Sequence, residues 1–155
     1  MSVKLTPEEI DEFLTQGHTL VIATIRKSGE PFMTPLWYVW QDGAFWVGTL
    51  AKSAKVQHIR RDPRVCCMVE EGDNWIDLRA VVANCDAEII TDPAVMAQIK
   101  VANDKKYAAF RTDPSRMPGA TSTHYAAERV LLKMTPRPGE IRSWYNRKIR
   151  LREPS

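Results

Sequence analysis

A mainly β fold, an antiparallel barrel with peripheral helices, is what this sequence predicts, on three observations. Six or more short runs rich in β-branched and aromatic residues follow one another along the chain. Links as short as Lys27–Glu30 and Gln41–Gly43 join some of them, too short for the crossover that a parallel pair needs. No glycine-rich turn leads from a strand into a helix, as a doubly wound dinucleotide fold requires. With 155 residues, 44% of them hydrophobic and 26% charged, the expectation is one domain over residues 1–155.

Each element has a local reason. Thr6-Pro7-Glu8-Glu9 opens a helix, with Thr6 as cap, Pro7 in the first turn and Glu9 completing a capping box. Ile10, Phe13 and Leu14 form its buried stripe and Gly17 ends it. Thr19–Arg26 is a strand, Lys27–Glu30 a turn, Phe32–Trp40 a second strand and Gln41–Gly43 a hairpin turn into Ala44–Leu50, giving a three-stranded meander. Ser53–Arg61 reads as a helix that Asp62-Pro63 terminates. Val65–Glu70 is a strand, Glu71–Asn74 a turn, and Trp75–Ala83 and Asp86–Thr91 are two strands or one strand continuous around a bulge. Asp92 caps a helix that runs to about Phe110. Thr112–Thr123, with two prolines and a glycine, is a loop, and Arg129–Met134 and Glu140–Tyr145 are the last strands.

Charge narrows the partners. A net charge of +3 suits anionic ligands and falls short of a dedicated nucleic-acid binder. No apolar run approaches the roughly 18 residues of a membrane span and the N-terminus lacks a signal-peptide core, so a cytoplasmic protein is expected. Cys66, Cys67 and Cys85 lack disulfide or metal spacing and read as packing residues; with His18, His58 and His124 scattered, no metal site is expected. No Ser-His-Asp or Cys-His arrangement is visible, so no catalytic side chain is assigned.

Thr49–Pro63 is the most informative stretch. A strand stops at Thr49, and a short loop then presents Lys52, Ser53 and Lys55 where a helical pattern begins. Hydroxyls, an ammonium group and free N–H groups at a helix start are what a phosphate needs. Ser and Thr also cap helices without any ligand, so the pattern has a bland reading too.

Taken in order, Ala23-Thr24-Ile25, Pro31–Trp37, Asp42-Gly43, Phe45-Trp46, Thr49, Ser53, Lys55, Arg60–Arg64, Leu78-Arg79 and Ala87-Glu88 resemble the pyridoxamine 5′-phosphate oxidase-like superfamily, over about residues 5 to 135. That resemblance implies an FMN-binding split β-barrel and a homodimer with cofactor sites at the subunit interface. It implies either FMN or the deazaflavin coenzyme F420 as cofactor. Thr34, Pro35, Leu36 and Trp37 would lie along the ring, and Thr49, Ser53 and Lys55 would hold the phosphate with added charge from Lys52. Arg79 stands where the family places a residue reaching the partner subunit's cofactor. Many FMN-binding members carry Arg directly before the phosphate lysine; here Ala54 stands there, which tilts the choice slightly to F420. Cys85 stands where glycine is common.

The basic segment 137–155 includes Trp144, Arg147 and Lys148, which would fold back toward an acidic substrate or the oligoglutamate tail of F420; a nucleic-acid patch is the weaker reading of the same residues. His124 and Tyr125 follow a Pro-Gly loop and form a candidate lid, and His58 reads as a surface residue of the phosphate helix. The function expected is hydride transfer between an F420- or FMN-type cofactor and a small organic substrate. The alternatives are a non-catalytic cofactor carrier of the same fold and a pyridoxamine 5′-phosphate oxidase.

Overall fold

The computed structural model describes residues 2–152 and 154. Its elements are α1 (Pro7–Gln16), β1 (Leu20–Ile25), β2 (Pro31–Leu36), β3 (Val39–Gln41), β4 (Ala44–Leu50), α2 (Ala54–Arg61), β5 (Arg64–Glu71), β6 (Arg79–Ile90), α3 (Pro93–Tyr107), α4 (Gly119–Tyr125) and β7 (Arg129–Tyr145). Seven strands form one sheet in the order β2-β1-β5-β6-β7-β4-β3, every neighbouring pair antiparallel.

The sheet curls into a half-barrel with helices around it. Leu20 and Ile22 of β1 share one core with Phe45 and Val47 of β4, although four inter-strand steps separate those strands. A flat sheet would hold them roughly 19 Å apart, so the concave face must fold over on itself. Alternation sorts β7 between two layers: Val130, Leu132 and Met134 point into that core, while Leu131 joins Trp46 and Ile99 of α3 on the outer face. Helix α1 adds Phe13 and Leu14 to the inner core, with its capping box formed as its sequence dictates.

Phe32–Trp40 is not one strand, and the expected meander is broken there. β2 pairs with β1 at one edge of the sheet, while β3 pairs with β4 at the other, and the chain crosses between them at Trp37-Tyr38. Burial drives the break: Tyr38 is fully buried and its hydroxyl donates to the Leu14 carbonyl at 2.6 Å. Gly17 is required by space and not by φ, which is −56°; a Cβ there would meet the Tyr38 hydroxyl and lie 2.7 Å from Val69 Cγ1. The Asp42-Gly43 turn has both φ angles positive, 53° and 68°, as a two-residue hairpin demands.

Three further elements differ from expectation. Trp75–Asp77 is a short 3₁₀ turn, held by Asn146 Nδ2 donating to the Trp75 carbonyl at 2.6 Å. β7 is one strand instead of two, whereas β6 runs continuously around a bulge as its sequence allows, with its register shift against β7 between Ala83 and Cys85. The Thr112–Thr123 loop contains a 3₁₀ turn at Pro114–Arg116 and the start of α4. Among the described residues no helix is long and apolar enough to cross a membrane.

Candidate cofactor-binding site

β4 ends at Leu50, and the chain turns through Ala51-Lys52, closed by the Ser53 N–H donating to the Leu50 carbonyl at 3.0 Å. The Ala51 N–H donates to Glu128 O at 2.9 Å, which ties this turn to the start of β7. Between the two lies a cavity of about 340 Å³ lined by Leu36, Gly48, Thr49, Leu50, Lys52, Ser53, Lys55, His124, Tyr125 and Arg129. Among the described residues, three cations and three hydroxyl groups line it, and no carboxylate does.

Ser53 occupies the N-cap position of α2 with extended backbone, yet its side chain makes no capping bond. Its Oγ is buried without a hydrogen-bond partner, a costly state for a hydroxyl. The first N–H groups of α2 lack intrahelical acceptors for geometric reasons and face the same end. Lys55 is half-buried, and its pKa is pushed down first by burial and then by the Arg129 guanidinium. Like charges drawn together in a partly desolvated cavity are stabilised by an anion.

Thr34 lies two residues before Leu36 on β2, so the two share a face; the Thr34 Oγ1 is also buried and unpartnered. Thus Leu36, Thr49, Lys52, Ser53 and Lys55 come together as their sequence positions suggest, with Thr34 beside them on β2. Pro35 is exposed on the alternate position of the strand. Trp37 leaves the strand and stacks on Tyr107 of α3, outside the cavity lining.

The remaining candidates sit at the other end of the sheet. Arg79 begins β6 opposite Tyr145, at the far end of β7 from Arg129. Its guanidinium pairs with Glu71 and lies 4.6 Å from the Phe13 ring and 5.0 Å from that of Tyr145, with Nε buried and unpartnered. Arg147 donates to Asp77 at 2.6 Å, Lys148 to Glu9 at 2.6 Å, and Trp144 is partly exposed on β7. None of these reaches the cavity of its own chain.

Arg129 is the residue that sequence reading missed. It pairs with Leu50 across β4 and β7, and nothing local in the sequence marks a strand's first residue as a ligand. His124 and Tyr125, the candidate lid, do line the cavity from α4. His58 points to the other side of α2, where its Nδ1 lies 2.8 Å from the buried Thr24 hydroxyl. Cys66, Cys67 and Cys85 are free thiols, two of them fully buried in the core.

Fold and cavity together define a β half-barrel with a cation-lined cavity at a strand–helix junction. The family model for pyridoxamine 5′-phosphate oxidase matches residues 6–140, and the chain belongs to that family. A conserved hypothetical protein from Mycobacterium tuberculosis is 32% identical, with a TM-score of 0.82 over 100% of this chain and 94% of that one. A FAD-binding protein from Mesorhizobium loti is 20% identical (TM-score 0.68, covering 90% and 94%). An F420 reductase is 24% identical (TM-score 0.63, covering 85% and 96%). No curated protein matches the chain.

Proposed function

We propose that this protein is an oxidoreductase that holds coenzyme F420 or FMN by its phosphate and passes a hydride between that cofactor and a small organic substrate. The observation that carries the reading is Ser53 Oγ, buried and unpartnered beside Lys52, Lys55 and Arg129, with no carboxylate lining the cavity among the described residues. These residues fit a phosphate: Ser53 and Thr49 donate hydroxyl bonds, α2 offers its first N–H groups, and the cations balance the charge. Leu36 lines the same cavity from β2, with Thr34 two residues before it on that strand. When bound, the cofactor supplies the hydride chemistry, and the protein binds and orients it. Relatives of this fold that are a FAD-binding protein and an F420 reductase support a flavin-type ligand.

Arg129 bears on which cofactor. Ala54 leaves α2 without the guanidinium that many FMN-binding members place there, and Arg129 brings one to the cavity from β7. The departure at Ala54 therefore no longer favours F420 over FMN. The reading includes one split-barrel domain and a homodimer. Arg79, Trp144, Arg147 and Lys148 lie too far from their own cavity to serve it, and a partner's cofactor would give them a role.

Titration of ligand-free protein with FMN and with F420, followed by fluorescence, tests this. Binding of one or both, weakened at least tenfold by Ser53→Ala and by Lys55→Ala, is the expected result. Unchanged affinity in both variants overturns the phosphate assignment. Tight binding with no acceptor reduced under any condition reassigns the protein as a carrier.

A further inference from the structure

Helix α2 has a second basic side. With the turn at Lys27–Glu30 it walls a shallow groove of about 560 Å³ that Arg26, Lys27, Phe32, His58 and Arg61 line, with no carboxylate among the lining residues. The groove shares no residue with the cavity described above: Ala54 faces one, Ser53 and Lys55 the other. Arg61 Nη2 donates to the Ile25 carbonyl at 3.1 Å, which fixes its guanidinium at the rim. Arg26 lies over the Phe32 ring, 5.0 Å from its centroid, and the His58 ring meets the same Phe32 edge-on at 5.4 Å. Asp62, beside Arg61 in the chain, is engaged by Arg64 at 2.8 Å, and Glu30 does not line the groove.

His58 is held from behind by a buried polar group. Thr24 is only 1% exposed, and its hydroxyl lies 2.8 Å from His58 Nδ1. That hydroxyl serves either protonation state. It donates to a bare Nδ1, or it accepts from Nδ1–H while turning its own hydrogen to the Phe32 carbonyl 3.5 Å away. In the neutral form with a bare Nδ1 and in the protonated form alike, Nε2 carries the hydrogen that is left to donate, and His58 lines the groove.

We propose that this groove is a second anion site, which takes a phosphoryl group between Arg26, Lys27 and Arg61 with His58 Nε2 as a further donor. Two guanidinium groups, an ammonium group and an imidazole line the groove, and a tetrahedral dianion offers them more acceptor oxygens than the two of a carboxylate. The site does not depend on the cofactor reading. Burial and the charges of Arg61 and Arg26 hold the His58 pKa down, and Lys27 faces the same groove with the same sign. A bound dianion offsets those charges, so His58 gains a proton on binding, and the affinity for the dianionic form itself is higher when His58 is protonated.

The test titrates inorganic phosphate into the Ser53→Ala/Lys55→Ala protein, which disables the first cavity, and follows the His58 ring nitrogens by NMR. Saturable shifts, a His58 pKa raised by about one unit and at least tenfold weaker binding in Arg26→Gln and Arg61→Gln are expected. Lys27→Gln, in an exposed turn, serves where those variants fail to fold. Shifts that sodium chloride reproduces at equal ionic strength, or that persist unchanged in the Gln variants, overturn the site. Repeating the titration on wild-type protein with FAD separates two sources. A His58 shift from FAD alone assigns the groove to the second phosphoryl group of a ligand seated in the first cavity. A shift from phosphate but not from FAD assigns it to a separate phosphorylated molecule.

Discussion

Tyr107 lies flat against Trp37, their ring centroids 4.4 Å apart and their planes 3° from parallel. The tryptophan that resemblance assigned to a cofactor ring thus has one face already covered by α3. The same tyrosine fixes the backbone beside it. Its hydroxyl accepts from the Tyr38 N–H at 3.0 Å and donates to the His18 carbonyl at 2.7 Å. The Trp37-Tyr38 crossing between the two sheet edges is therefore clamped by one phenol.

Removing that phenol is predicted to be costly. Tyr107→Phe leaves the Tyr38 N–H without its acceptor in a buried place, a loss of about 1–3 kcal/mol. Urea denaturation would read it as a lower midpoint at unchanged slope. An unchanged midpoint would mean that the clamp is dispensable.

Ser53→Ala separates a cap from a ligand. A serine that caps a helix costs about 1 kcal/mol when truncated, but this hydroxyl makes no capping bond. Ligand-free Ser53→Ala is expected to melt within about a degree of wild type, or above it, while phosphate-ligand affinity falls. A clear drop in the ligand-free Tm would return Ser53 to an ordinary cap.

Arg129→Gln should weaken the same ligand by about tenfold to a hundredfold, since it removes a charge-assisted donor. It also removes one cause of the lowered Lys55 pKa, so that amine becomes easier to protonate. Reductive methylation followed by NMR titration of the lysines would detect the rise; a Lys55 signal that does not move would place Arg129 away from it.

Lys106 gives a pH dependence with a definite sign. Its Nζ donates to the Tyr38 carbonyl at 3.0 Å, and burial pulls its pKa from 10.5 to about 8. Between those values the unfolded chain binds more protons than the folded one, so stability rises with pH from about 8 towards 10.5. Because the amine is partly exposed, screening limits the gain to about 1 kcal/mol. Lys106→Met should flatten this part of the profile relative to wild type, and parallel profiles would refute the assignment.

Gly17→Ala is predicted to destabilise by about 1–3 kcal/mol, because the new methyl overlaps the Tyr38 hydroxyl and Val69. Differential scanning calorimetry would show it. Gly29→Ala, in open space at positive φ, is the control that isolates backbone strain from crowding.

Much of this was legible in the sequence because it rests on local chemistry. The capping box of α1, the Asp42-Gly43 hairpin, the end of α2 at Asp62-Pro63 and the Lys52–Lys55 loop all depend on neighbours within a few residues. What was not legible depends on distant partners. Phe32–Trp40 alternates well enough for a strand, and only the pocket that Leu14 and Tyr107 make for Tyr38 breaks it. Arg129 joins the cavity through pairing with Leu50, across 79 residues of chain. The continuity of β7 was hidden because Pro136, Pro138 and Gly139, all poor strand formers, lie between its two β-rich runs.

The register shift opposite Ala83 and Cys85 has a practical side. β7 meets β6 in two alignments, Ile141 with Ala83 but Pro136 with Cys85, so the residues between them bow out of the ladder at Gly139, whose φ is +77°. That bow uncouples the half of β7 bearing Arg129 from the half ending at Tyr145. It is where a reporter peptide or a fused domain can be spliced into the chain while Arg129 stays opposite Leu50.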